Sequence, residues 1–272
     1  MLNSGDSYQN KKDDFNEINN SVSNVGNLDI KIVPNSNKKD DKKLDRISKL
    51  FLLLIGFSYI GLTVFSLLWA IVFSGFNISE NLALTLAELF TYFSVLVCLF
   101  LVCKRNKEYF INEIKDYKKY LYGLAWGAIT LAAELLVSYL MGLISTENNG
   151  NQEMIEMLTL NYPTILFIVT VILGPICEEL TYRVGLFGLL REKNEILGIV
   201  VSSLIFAAVH ISFTDTTLIA ELCAFPIYLT ISFLLTYTYK RHGLAASVTA
   251  HMFINLASFI RILIYYNNLW KN

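Results

Sequence analysis

Long apolar stretches alternate with short polar connections over most of this chain. The first stretch runs from Leu50 to Phe76 without a charged residue, which is longer than the about 20 residues that a helix needs to cross a bilayer. Further apolar stretches follow it at intervals. The pattern predicts seven transmembrane helices, and six or eight are also compatible with it. The predicted spans are residues 50–76, 82–103, 120–145, 162–190, 196–213, 218–239 and 244–266.

The composition supports the same interpretation. Of the 272 residues, 54% are apolar and 17% are charged, and the mean hydropathy is +0.48, which is unlike an average soluble domain. The formal net charge of -1 provides no strongly basic surface, so we expect the lipid bilayer as a partner and no nucleic acid. The predicted fold class is all-α, a polytopic transmembrane helix bundle of about seven spans.

The first 48 residues form a separate region by composition. They are rich in Asn, Asp, Lys and Ser and show neither helical nor strand periodicity, so we expect a disordered polar tail. The first apolar stretch begins too late for a cleavable signal peptide. The predicted organisation is therefore a tail at residues 1–48, N-terminal transmembrane helices at 49–145 and a C-terminal transmembrane core at 150–266.

Basic residues occur in every second connection, and this bias predicts the orientation of an integral membrane protein. The connections that carry them are placed in the cytoplasm, together with the N-terminus. The Asn- and Lys-rich tail indicates a bacterial source of low GC content, and therefore the bacterial plasma membrane. The basic segments are residues 38–49, 104–119, 191–193 and 240–241, and the segments without Lys or Arg are 77–81, 146–161 and 214–217.

Charged residues inside the predicted spans are few, and each costs about 2.5 to 3.5 kcal/mol at a helix centre. Glu88 and Glu134 are isolated in the second and third spans, and Glu221 lies near one end of the sixth. The fourth, fifth and seventh spans are different, because they concentrate polar side chains, which indicates a functional site. These side chains belong to Glu178, Glu179, Arg183, His210, His251 and Asn255.

Helical spacing assigns these side chains to faces. Glu179 and Arg183 are four residues apart with the acid first, which favours an ion pair on one helix face. Glu178 lies about 100° away round the helix, so its carboxylate stays available. His251 and Asn255 also share a face. The spacing therefore predicts one neutralised carboxylate beside a free one.

A hairpin of the fourth and fifth spans about the polar turn at residues 191–195 places Glu178 opposite His210. His251 fits this depth less well. It lies seven residues inside its span, about 10 Å along an α-helix, whereas Glu178 lies 13 residues, or about 20 Å, before Arg191. The helix that carries the acids also contains Pro175, which removes a backbone hydrogen bond to Val171 if the helix is α-helical.

The chemistry of this set is that of amide hydrolysis. We expect Glu178 to act as a general base on water, with His210 either orienting that water or sharing its proton. His251 and Asn255 suit stabilisation of an oxyanion. The same residue types also permit a zinc ion held by Glu178, His210 and His251 with water as the fourth ligand. The sequence leaves the metal-free and the zinc-dependent alternatives open.

Three motifs carry a resemblance to a known family. Residues 178–183 resemble an EExxxR motif, residues 206–210 an FxxxH motif and residues 251–255 an HxxxN motif. In this order they are similar to the CAAX-protease and bacteriocin-processing family, also called the Abi family, of intramembrane proteases. The resemblance covers about residues 150–260 and implies that 150–266 is the catalytic core. Tyr182, Val184 and the pair Phe225–Pro226 depart from the family pattern.

The resemblance implies a function for each motif residue. Glu178 and His210 would activate water, His251 and Asn255 would support the oxyanion, and Glu179 with Arg183 would be structural. The family is described both as metalloproteases and as metal-free, glutamate-dependent enzymes. The implied activity is an intramembrane endopeptidase that acts on membrane-associated or secreted peptides and proteins.

Two other functions are compatible with the sequence. Intramembrane Glu and His residues also build the proton relays of transporters, although this chain shows no internal repeat. A catalytically silent protein for bacteriocin immunity or scaffolding could have the same fold. The complete set of motif residues favours the protease over both.

Overall fold

Helices account for the regular structure of the chain in the computed structural model, which describes residues 44–56, 61–212 and 216–269, with side chains up to residue 266. Within these ranges there are ten helices and no strand. The prediction of an all-α bundle is therefore confirmed. Residues 1–43 of the predicted tail lie outside the described residues.

The ten helices are numbered here in chain order. They are α1 (Arg46–Gly56), α2 (Thr63–Ser74), α3 (Glu80–Arg105), α4 (Lys107–Lys115), α5 (Tyr117–Gly142), α6 (Gly150–Asn161), α7 (Pro163–Leu190), α8 (Glu195–Val209), α9 (Leu218–His242) and α10 (Leu244–Leu269).

Among the described residues, five helices are long and apolar enough to cross a membrane, namely α3, α5, α7, α9 and α10. Two of the predicted spans correspond to shorter helices. The stretch predicted at 196–213 ends as a helix at Val209, and its 15 residues measure about 22 Å, less than the about 30 Å of a hydrocarbon core. The stretch predicted at 50–76 includes residues 57–60, which are outside the described ranges. The polytopic bundle is confirmed, and the count of seven spans stays a prediction.

The first helix begins before the predicted end of the tail at residue 48. Asp45 caps α1, because its carboxylate accepts the Ser48 N–H at 2.9 Å and the Ser48 hydroxyl at 2.8 Å. These donors, the backbone N–H first, hold the pKa of the Asp45 carboxyl below its usual value. Leu44 and Lys49 are both buried. The packed part of the chain therefore starts by residue 44.

Helix α1 packs closely against the second half of α7. The buried Lys49 ammonium donates to the Gly188 carbonyl at 3.1 Å and lies 2.5 Å from Glu192. This ammonium lowers the pKa of the Glu192 carboxyl. A methyl group on Gly56 would overlap the Thr181 hydroxyl. The N-terminal helix is thus docked on the helix that carries the acidic motif.

Helix α7 changes its hydrogen-bonding pattern along its length. Residues Phe167–Leu173 and Glu179–Phe187 are π-helical, and Gly174–Glu178 between them is α-helical. The Gly174 N–H bonds to the Val169 carbonyl, five residues back. A π-helix places more residues in each turn than an α-helix and so advances less per residue. All nine residues of Glu179–Phe187 are buried.

The polar connections collect into two groups at opposite ends of the helices. The basic connections contact one another, through Lys49 and Glu192 (2.5 Å), Lys240 and Glu195 (2.5 Å), and Glu113 and Ala245 (3.2 Å). The connections without basic residues also contact one another, through Asn149 and His210 (3.0 Å), and Thr217 and Glu147 (2.5 Å). This grouping agrees with the predicted alternation, and the side that faces the cytoplasm stays a prediction.

Candidate active site

Helices α7, α8 and α10 bring Glu178 and two histidines together. The Glu178 Oε2 atom lies 4.0 Å from His210 Nε2 and 3.8 Å from His251 Nε2. The depth mismatch expected from α-helical geometry does not keep these side chains apart, and the π-helical course of Glu179–Phe187, which advances less per residue, removes a part of it. The structure thus places all three side chains at one level.

Glu179 contacts the opposite side of the His251 ring from Glu178 and lies in a buried polar cluster. Its carboxylate lies 3.0 Å from His251 Nδ1 and 3.3 Å from Arg183 Nε, so the predicted pair with Arg183 is present. Because a carboxylate accepts hydrogen bonds, His251 carries its hydrogen on Nδ1 and directs Nε2 towards Glu178. Arg183 also lies 4.8 Å from the centre of the Phe206 ring, a favourable cation–π contact.

Ser247 completes the surroundings of Glu179 and was not predicted from the sequence. Its hydroxyl donates to Glu179 Oε2 and also lies 3.1 Å from the Leu235 carbonyl. Ser247 is fully buried. It precedes His251 by one helical turn, as His251 precedes Asn255, so its position on the motif face of α10 was a signal that could have found it.

His210 is held at the end of α8 with one ring nitrogen directed at Glu178. Its Nδ1 lies 2.7 Å from the Phe206 carbonyl, which can only accept, so Nδ1 carries the hydrogen and Nε2 offers a lone pair. The imidazole lies between the rings of Phe206, at 4.5 Å, and Tyr228, at 4.6 Å. Tyr228 comes from α9 and carries no motif, so sequence reasoning did not find it.

Asn255 donates a hydrogen bond to the backbone of α7. Its Nδ2 lies 2.8 Å from the Thr170 carbonyl. In the π-helical pattern the donor for that carbonyl would come from residue 175, which is a proline and has no N–H. The carbonyl released by Pro175 is therefore that of Thr170, one residue before the Val171 expected for an α-helix. The second N–H of the Asn255 amide is not used by this bond.

A cavity of about 630 Å³, within the usual range for ligand sites, reaches this group. Glu178, His210, His251 and Asn255 all line it, as do Glu88 and Glu134. The Glu178 and His210 side chains are 16% and 18% exposed, whereas Glu179 and Arg183 are fully buried. Water can therefore reach Glu178 and His210 and not the buried ion pair.

The set proposed from the sequence for zinc, namely Glu178, His210 and His251, does not form a metal site as arranged. Among the described residues, no group of three or more His, Cys, Asp and Glu side chains is placed to hold a metal ion. Glu179 contacts the Nδ1 atom of His251, and Ser247 contacts Glu179.

Comparisons with known proteins bear on the same residues. Residues 160–257 match the family model of the Rce1-like, type II CAAX prenyl endopeptidases, and this range includes every predicted site residue. The chain is 31% identical over 185 residues to an uncharacterized protein of Mycoplasma capricolum, covering 62% of this chain and 53% of that protein. It thus spans about half the length of that relative.

A second relative is named as a membrane protease. Over 198 residues the chain is 25% identical to the membrane-embedded CAAX protease MroQ of Staphylococcus aureus, and the alignment covers 67% of this chain and 75% of that protein. No solved structure matches the chain.

Proposed function

We propose that this chain, a member of the CAAX-protease and bacteriocin-processing family of membrane proteins, is an intramembrane endopeptidase that hydrolyses peptide bonds of membrane-associated or secreted substrates. One observation carries the proposal. A partly exposed Glu178 faces His210 and His251 across gaps of 4.0 and 3.8 Å in a cavity between apolar helices.

The gap between Glu178 and His210 suits a water molecule. Glu178 Oε2 and the His210 Nε2 lone pair both accept hydrogen bonds, and they are 4.0 Å apart, too far to bond directly. A water that donates one hydrogen to each directs an oxygen lone pair away from both. As this oxygen attacks the peptide carbonyl, Glu178 takes the proton as general base.

His251 is the donor that we assign to the developing oxyanion. Glu179 accepts from His251 Nδ1 at 3.0 Å, which orients the ring and stabilises an imidazolium, as the carboxylate does in a serine protease triad. In the proposed reactive form His251 carries a second proton, on Nε2, which it takes from solvent before the reaction. This Nε2–H donates to the negative oxygen, and His251 keeps both protons throughout the cycle. The unused N–H of Asn255 is a second donor from the same helix.

The tetrahedral intermediate collapses when Glu178 returns the proton to the amide nitrogen. The carbon–nitrogen bond then breaks, the amine leaves and the other fragment leaves as a carboxylic acid. Glu178 ends as the carboxylate that began the cycle, so protons and electrons balance. Glu179 and Arg183 remain paired throughout and hold His251 in place.

The test is cleavage of a library of synthetic transmembrane and amphipathic peptides by the purified chain in lipid nanodiscs, followed by mass spectrometry. We expect Glu178→Gln and His210→Gln to lower the rate by about 10²- to 10⁴-fold. Glu88→Gln is the matched control, because Glu88 lines the same cavity from α3 and has no role in the proposed mechanism. Cleavage that survives Glu178→Gln unchanged would contradict the proposal.

Metal dependence is tested on the same preparation. We expect cleavage to persist after treatment with a strong chelator, because the proposed mechanism uses side chains of the protein and no metal ion. Loss of cleavage that zinc restores, together with one zinc ion per chain by elemental analysis, would support the zinc-dependent alternative instead.

A further inference from the structure

Three consecutive residues at the start of α6 contact the His210 segment by separate routes. The first is Asn149, which is buried and donates from its side-chain amide to the His210 carbonyl at 3.0 Å. Its amide oxygen also accepts the Gln152 N–H at 3.3 Å and so caps α6. One side chain thus joins the end of α8, which carries His210, to the beginning of α6.

The second route passes through Glu221, a buried carboxylate in the first turn of α9. It accepts the Gly150 N–H at 2.8 Å and the Ser212 N–H at 3.0 Å. It also accepts the Thr216 hydroxyl at 2.5 Å. Hydrogen bonds to an ionised acceptor are stronger than those between neutral groups. Glu221 therefore ties the start of α6 to the backbone two residues beyond His210.

The third route passes through Tyr228. The Asn151 amide donates to the Tyr228 hydroxyl at 3.0 Å. The Tyr228 ring in turn stacks on the His210 imidazole, with ring centres 4.6 Å apart and planes inclined by 25°. This contact acts on the plane of the ring, whereas the other two act on the backbone that carries it.

His210 needs such support because helix α8 ends at Val209. The His210 N–H bonds to the Ala207 carbonyl at 3.2 Å, and no further turn of α8 follows to hold the His210 carbonyl. A shift of about 1 Å in a catalytic group can cost 10²-fold in rate. The position of His210 is therefore set by residues from α6 and α9 together with Phe206 of α8. Asn149 to Asn151 lie outside the family match at 160–257.

We propose that Asn149, Asn151, Glu221 and Tyr228 are positioning residues that hold the His210 imidazole opposite Glu178. This inference rests on the proposed function. It predicts that loss of any one contact disturbs the geometry of His210 and lowers kcat more than it changes KM.

The experiment compares Asn149→Ala and Tyr228→Phe with wild type in the full chain. The matched control is Asn161→Ala. It removes a similar hydrogen bond, from the Asn161 side-chain amide to the Met157 carbonyl at 2.7 Å, at the far, exposed end of α6. We expect kcat to fall about 10- to 100-fold in the two test variants, with KM within about 2-fold. Asn161→Ala keeps the wild-type kcat.

A spectroscopic readout makes the test independent of any substrate. The chain has three histidines, so ¹⁵N-histidine labelling gives three sets of ring signals, assigned by His→Gln variants. We expect the His210 ring signals to shift or broaden in Asn149→Ala and Tyr228→Phe, and those of His242 to stay in place. Tyr228→Phe removes one hydroxyl only, so it remains informative if Asn149→Ala does not fold.

Unchanged His210 signals and unchanged kcat in both variants would overturn the positioning role. Failure of the proposed function looks different, because then His210→Gln and Glu178→Gln cleave like wild type. In that case the His210 signals still report whether the contacts order the ring.

Discussion

At the scale of single residues, two neighbouring glutamates occupy opposite environments. Glu179 is fully buried and is met by Arg183, His251 and Ser247. Glu178 lines the cavity with 16% of its side chain exposed. A buried charge must be paired to be tolerated, whereas a carboxylate that reaches water need not be. The first is therefore suited to hold the fold and the second to take up a proton.

This contrast predicts different effects of the same substitution. Glu179→Gln leaves the buried Arg183 guanidinium without its counter-charge, so we expect a loss of about 3–5 kcal/mol in the free energy of unfolding. Glu178→Gln removes no such partner and should change stability by less than about 1 kcal/mol. Denaturant unfolding in detergent measures both. Equal destabilisation by the two variants would contradict the assignment.

At the scale of helices, the break in α7 is repaired by α10. The π-helical pattern and Pro175 together leave the Thr170 carbonyl without a donor from the neighbouring turns, and Asn255 supplies one at 2.8 Å. Breaks of this kind inside a membrane are tolerated where a neighbouring helix satisfies the freed group. The HxxxN motif is therefore part of the architecture as well as part of the site.

A double-mutant cycle tests this repair. Asn255→Ala alone leaves a carbonyl unpaired and should cost about 1–3 kcal/mol of unfolding free energy. Pro175→Ala restores a backbone N–H, so in that background Asn255→Ala should cost clearly less. Chemical denaturation of the four proteins gives the coupling. Strictly additive effects would show that Pro175 and Asn255 are independent.

The docking of α1 on α7 depends on the absence of a side chain at Gly56. An added Cβ would lie 1.6 Å from the Thr181 hydroxyl, which is buried and bonded to the Cys177 carbonyl at 2.7 Å. We expect Gly56→Ala to cost about 1–3 kcal/mol or more through overpacking. Gly142→Ala is the control, because nothing lies within 4 Å of its added Cβ. Thermal unfolding of both variants in detergent is the measurement, and equal midpoints would be the contrary result.

At the scale of the whole molecule, the helices form a bundle whose polar connections separate into a basic end and an uncharged or acidic end. The cavity opens among residues of the second group, since residues 145–149, 151 and 152 belong to its lining. Apolar side chains are exposed along the outer faces of α3, α5 and α9, among others, as expected for helices that contact lipid. The bias in basic residues predicts the orientation of the bundle in the membrane.

The predicted orientation is testable with single cysteines. The four native cysteines are free and can be replaced by alanine. We expect Asn148→Cys to react with a membrane-impermeant maleimide in intact cells, and Lys193→Cys to react only after the cells are opened. The reverse pattern would place the N-terminus outside, and with it the basic connections.

Much of this molecule is determined by local patterns in the sequence. The membrane location, the Glu179–Arg183 pair and the motif helices follow from hydropathy and from spacing along one helix, which depend on near neighbours only. The π-helical course of α7, the bond from Asn255 to Thr170, and the contacts of Ser247, Tyr228 and Asn149 were decided by the tertiary structure. These contacts join residues far apart in the chain. The bond from Asn255 to Thr170 also depends on a hydrogen-bond register that shifts by one residue when α7 changes from α to π. No periodicity in the sequence records that shift.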